Sequence, residues 1–109
     1  MRPFTTYKRW TLRPGCHETD LLALVQTRIR PAYQQLPGCL GLGLQRIPDS
    51  RSYLAIQYWQ SRQAREEALA AESYRAWHAA YEPALALWDG LMVFEAEWEG
   101  EELLDSPTP

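Results

Sequence analysis

Apolar residues in this chain switch four times between alternate spacing and a spacing of three or four, and that order of periods limits the available folds more than any other feature. Residues 4–12 are rich in aromatic and β-branched types and stop at Arg13-Pro14-Gly15, a turn signal, which predicts a first strand. Leu21, Val25, Ile29, Tyr33 and Leu36 then form one helical stripe ending at Pro37-Gly38; Pro31 removes a backbone donor inside it and predicts a kink near Arg30. Leu40, Leu42 and Leu44 alternate with Gly41, Gly43 and Gln45, a second strand whose other face is nearly bare and must be approached closely by something else. Pro48 to Arg51 reads as a turn into a third strand over Ser52 to Trp59, making a hairpin. Ser61 reads as the N-cap of a long helix whose stripe is Tyr74, Trp77, Tyr81, Leu85 and Trp88, bent or divided at Pro83 and closed by Asp89-Gly90. Alternation returns over residues 91–98, a fourth strand.

The resulting order, β-α-β-β-α-β, is that of an α+β, ferredoxin-like fold: an antiparallel four-stranded sheet ordered 4-1-3-2 with both helices on one face. On the strands, Tyr7, Tyr53, Ala55, Trp59, Leu91 and Val93 fall in the phase opposite to Leu40, Leu54, Ile56 and Phe94, so the sheet is expected to be apolar on both faces. The helices cover one face. A second copy of the chain is expected to cover the other, giving a face-to-face homodimer.

A chain of 109 residues suits a single core, with the domain expected over residues 1–99 and an acidic tail over 100–109. At 46% hydrophobic and 23% charged it is neither disordered nor fibrous. The net charge is −3, and the excess acid lies near the C-terminus, which excludes the clustered basic face that nucleic acid requires. No apolar run approaches the ~20 residues of a membrane span and Met1 to Arg13 holds no apolar signal core, so a cytoplasmic address is expected. Cys16 and Cys39 form no CxxC and no Cys/His cluster, which excludes a structural zinc site and suggests two reduced thiols. GxGxxG, P-loop, GxSxG and HExxH patterns are all absent, and with them the sequence warrant for nucleotide, serine-hydrolase or zinc-protease chemistry.

This element order, with Tyr58-Trp59-Gln60-Ser61 at the strand-to-helix junction and a helix leading to Trp77-His78, resembles the antibiotic biosynthesis monooxygenase family of dimeric α+β barrels over roughly residues 4–98. The resemblance implies either cofactor-free oxygenases of hydroxylated aromatics or haem-degrading oxygenases. The haem-degrading branch carries an Asn on the first strand, a Trp early in the second long helix and an iron-ligating His further along it. Alignment through Pro14-Gly15 and Trp59-Gln60-Ser61 puts Lys8, Ala68 and His78 at those positions, so only the His matches. The expectation is a cofactor-independent monooxygenase acting with dioxygen on a quinol or polyketide-like aromatic. The alternative is a non-catalytic homodimer binding a small molecule, or haem through His78.

Two residues are expected to carry catalysis. His78 sits at the edge of the aromatic stripe, where an imidazole can act as general base toward a phenol, ligate iron, or simply occupy the rim bonded to water or backbone. Lys8 shares the phase of Phe4, Thr6, Trp10 and Leu12, the expected helix-facing side; it either holds a substrate phenolate or carboxylate, or reaches the rim and pairs with a strand-four carboxylate. Trp59, Tyr74 and Tyr81 are expected to line a flat slot for an aromatic substrate, although core packing accounts for such a stripe equally well. Arg46 and Arg75 are anion clamps or solvated arginines. Glu95 and Glu97 are expected to face strand one and pair with Lys8 and Arg9 rather than hold a metal.

Overall fold

A computed structural model describes residues 2–104. Strand β1 (Phe4–Leu12) leads into α1 (Glu18–Leu24), a π turn over Val25–Ile29 and the short α2 (Arg30–Tyr33). The hairpin β2 (Cys39–Arg46) and β3 (Ser52–Trp59) follows, then α3 (Arg62–Ala70), α4 (Ser73–Leu91) and β4 (Met92–Glu101). The sheet order is β2-β3-β1-β4 with every neighbouring pair antiparallel, the 4-1-3-2 arrangement expected of a ferredoxin-like α+β fold. Among the described residues no helix is long and apolar enough to cross a membrane.

Local chemistry explains the element ends. Ser61 is extended, and its hydroxyl accepts from the Ala64 N–H at 3.0 Å, satisfying one orphan donor of α3. Pro31 cannot donate to the carbonyl four residues back, and the irregularity expected near Arg30 takes the form of the π turn, with the Arg30 N–H reaching Val25 O. Pro83 does not divide the second helical stretch. α4 runs through it unbroken, because the proline lies on the solvent side, where water can take up the carbonyl it frees. The division falls at Ala71, whose backbone is extended. β4 takes in Gly100 and Glu101, which pair with Thr5 and Phe4, so the strand reaches into the expected tail; residues 105–109 of that tail lie outside the described residues.

Pairing fixes which side chains share a face, and here one expectation is corrected. Lys8 pairs with Ala55, Trp10 with Tyr53 and Phe4 with Trp59, so Tyr53, Ala55 and Trp59 lie on the helix side and not on the open side. Tyr53 joins the main core with Leu12, Leu21, Leu42, Trp88 and Met92, and its hydroxyl donates to Glu18 of α1 at 2.7 Å. Trp59, 1% exposed, packs with Phe4, Leu36 and Ala68 in a second cluster. Strand β3 is apolar in both phases, so hydropathy alone could not choose its inner side.

The open face instead carries Tyr7, Ile56, Tyr58, Val93 and Trp98. Tyr7 and Trp98 stack at 5.6 Å between ring centroids, and Tyr58 and Trp98 remain 40% and 45% exposed. The bare face of β2 is approached by the Tyr58 ring: a Cβ on Gly43 would lie 3.2 Å from it. Leu40, expected on the helix side, is instead exposed where the β2 register shifts between Cys39 and Gly41.

Candidate active-site chamber

Between sheet and helices lies a chamber of about 110 Å³, walled by Trp10, Tyr33, Leu42, Tyr81, Leu85 and Trp88, with Lys8, Ala55 and Gln57 on the sheet side. Its origin is steric. Ala55 stands between Lys8 and Leu44 in register, and its single methyl leaves unfilled a volume that a larger side chain would occupy. The π turn ends at Ile29 on the same chamber, and α2 presents Tyr33 to it.

The polar groups are ordered by one chain of contacts. Trp59 Nε1 donates to Gln57 Oε1 at 3.1 Å, which turns the Gln57 amide so that Nε2 donates to the Tyr33 hydroxyl at 3.3 Å. Tyr33 meets Tyr81 edge-to-face at 5.5 Å, and Tyr81 stacks on Trp77 at 4.9 Å. Burial, reinforced by the adjacent Tyr81, pushes the Tyr33 hydroxyl far above the usual tyrosine range; burial also raises Tyr81. Both therefore stay protonated at ordinary pH and serve as hydrogen-bonding groups rather than bases. Trp10 Nε1 is buried without an acceptor among the described residues. The Lys8 ammonium makes no hydrogen bond or ion pair among the described residues, although Glu97 is its register partner on β4.

A second hollow of about 320 Å³ shares Lys8 with the chamber and reaches the β4 edge of the sheet, bounded by Thr6, Tyr7, Arg65, Glu97, Trp98 and Glu99. Glu99 is held by Arg62 at 3.1 Å. Of the cross-strand pairs expected on β4, Arg9–Glu95 forms at 2.7 Å, and Glu95 also accepts from the Thr11 hydroxyl.

Of the residues singled out from sequence, Lys8 and Tyr81 meet in the chamber, and Trp59 acts on it from within the core through Gln57. His78 and Tyr74 line a different surface, an outward groove made entirely by residues 69–82. His78 is 42% exposed, with Nδ1 3.6 Å from Glu82 and its ring 5.8 Å from Tyr74. It does not reach the space between helix and sheet, because Trp77 and Tyr81 hold the inward side of that helix turn. Arg46 pairs with Glu18 at 3.1 Å, and Arg75 borders the outward groove. Sequence reasoning passed over Gln57 and Arg65. The signal for Gln57 was available: once Lys8 faces inward and β1 lies beside β3, the residue two beyond Ala55 must face inward too.

The antibiotic biosynthesis monooxygenase family model matches residues 3–80, and the chain belongs to that family. Among solved structures it is similar to SnoaB, a cofactor-independent oxygenase from Streptomyces nogalater, at 19% identity and a TM-score of 0.65, covering 100% of this chain and 99% of that one. HapK from Hahella chejuensis aligns at 13% identity with a TM-score of 0.72, covering 97% and 98% of the two chains. Rv0793 from Mycobacterium tuberculosis aligns at 21% identity with a TM-score of 0.63, covering 96% and 99%. No curated protein matches the chain in sequence.

Proposed function

We propose that the protein is a cofactor-independent monooxygenase that inserts one oxygen atom of dioxygen into a hydroxylated aromatic, a quinol or polyketide-like polycycle, at the Lys8 chamber. The observation that carries the reading is an ammonium without an ion pair among the described residues, at the border of an aromatic-walled cavity. The chamber alone lies well below the ~300 Å³ at which drug-sized pockets begin, so one ring enters it while the rest of the substrate occupies the adjoining hollow. Lys8, at the junction, stabilises the phenolate left when the substrate hydroxyl loses its proton, because an ammonium in low dielectric favours a neighbouring anion. The phenolate passes one electron to dioxygen, the two radicals combine into a carbon–oxygen bond, and the resulting peroxide loses water. One oxygen atom remains as a quinone carbonyl and the other leaves in water, so the substrate supplies every electron. The protein contributes orientation, desolvation and the anion site.

The general-base role expected of His78 does not fit its outward position, and neither does haem binding. The chamber is too small for a porphyrin, and the groove at His78 has walls from one helical hairpin only, leaving no second side to enclose a macrocycle. The open sheet face supports a homodimer built on Tyr58 and Trp98 together with the expected Tyr7 and Val93, without Tyr53, Ala55 and Trp59.

The test is turnover of a polycyclic quinol under heavy-isotope dioxygen, read by mass spectrometry. One heavy atom in the product and one in water is the expected result; a product oxygen drawn from solvent would overturn the reading.

A further inference from the structure

Ring contacts join the chamber to the outward groove without a break. Tyr33 and Tyr81 line the chamber, and the half-buried Trp77 meets both, 5.4 Å from Tyr33 and 4.9 Å from Tyr81 between ring centroids. Tyr74 stacks on Trp77 at 5.5 Å and stands 5.8 Å from His78, and Tyr74 and His78 both line the groove. Every ring from Tyr33 to Tyr74 is a phenol or an indole, a side chain that yields one electron to an oxygen-centred radical. The Trp77 N–H donates to Ala32 O at 2.8 Å, so the indole keeps its proton and passes the electron alone. The other aromatic run at the chamber, Trp88 to Trp10 to Phe94 at 5.3 and 5.2 Å, ends on a phenyl ring, which is far harder to oxidise. Packing is served by phenyl rings, which leave no hydroxyl to satisfy; an unbroken succession of oxidisable rings from cavity to surface asks for another reason.

We infer that Tyr33, Tyr81, Trp77 and Tyr74 form a one-electron relay through which a radical in the chamber is repaired from the surface. The relay goes beyond the proposed function and rests on that reading for its oxidant. When superoxide escapes before the two radicals combine, the substrate radical left behind adds a second dioxygen and becomes a peroxyl radical. The peroxyl radical takes a hydrogen atom from the Tyr81 hydroxyl and becomes a hydroperoxide, the same kind of intermediate as on the productive route. Trp77 returns the electron to Tyr81, and water in the chamber returns the proton. Tyr74 supplies the electron to Trp77 and releases its hydroxyl proton into the groove, beside His78 and Glu82. A thiol from solvent then gives Tyr74 a hydrogen atom and leaves as a thiyl radical. In net, one electron and one proton pass from the thiol to the peroxyl group, and every ring regains its starting state.

The experiment uses the full chain with naphthoquinone as a photo-oxidant bound in the chamber. A flash raises the quinone to a state that takes one electron from a phenol or indole, and a nitroso spin trap records, by peptide mass spectrometry, which side chain ends as the radical. A Tyr74 adduct is expected in the wild type, lost in Trp77→Phe and restored in Trp77→Tyr. Both variants lose the bond to Ala32, so a merely structural role for Trp77 would move them alike. Tyr74→Phe should shift the adduct inward to Trp77 or Tyr81. A Tyr74 adduct that persists in Trp77→Phe, a loss as complete in Trp77→Tyr, or a wild-type adduct confined to Tyr33 and Tyr81 overturns the relay while leaving the chamber standing. No adduct on any of the four rings overturns the relay, and with it the chamber as a site for an aromatic ring.

Discussion

Tyr33 illustrates how a single buried hydroxyl ties the site to stability. Burial raises its pKa in the folded state above the ordinary tyrosine value of about 10, and Tyr81 shifts in the same direction. A group whose folded pKa is raised contributes stability fully below its unfolded pKa and loses it as the pH climbs through the folded value. The protein should therefore melt at falling temperature above pH about 10. Tyr33→Phe should flatten that alkaline limb, as thermal melts across a pH series would show; a limb as steep as in the wild type would contradict the burial argument. Trp59 acts at the same scale through Gln57. Trp59→Phe removes the bond that orients the amide, and is expected to cost about 1 kcal/mol of stability and to loosen the Tyr33 contact.

At the scale of elements, the junctions carry more information than the strands themselves. Gly38 joins α2 to β2 at a φ of +79°, and its missing Cβ would lie 2.8 Å from Ala64 Cβ on α3. Left-handed backbone and close approach act together there, so Gly38→Ala should cost roughly 1–3 kcal/mol, read as a melting point lowered by several degrees. An unchanged melt would mean α3 can withdraw without loss. How much could be read from sequence divides along the same line. Residues 52–59 announce a strand by composition and end where the structure ends it, and Ser61 announces the following cap. The phase of that strand was not legible, since Tyr53, Ala55 and Trp59 are as apolar as Leu54, Ile56 and Tyr58; only pairing with β1 decides between them. The helical stripe through Tyr74 and Trp88 was legible as a stripe. Its edge was not, because His78 lies one residue beyond Trp77, and a small error in helix rotation carries it from the chamber to the surface.

For the whole molecule, the open sheet face and the Lys8 chamber make separate claims. The face that exposes Tyr58 and Trp98 is expected to close against a second copy, so Trp98→Asp should give a monomer in light scattering; an unchanged dimer would place the interface elsewhere. The chamber is the central claim, and one comparison tests it most directly: initial rates of oxygen uptake with a polycyclic quinol for the wild type, Lys8→Met and His78→Ala. Lys8→Met is expected to lose about 100-fold or more, the scale on which removal of one anion-stabilising donor is felt, and His78→Ala to stay within about two-fold of wild type. Full activity in Lys8→Met, or a collapse in His78→Ala, would contradict it and move the chemistry to the outward groove.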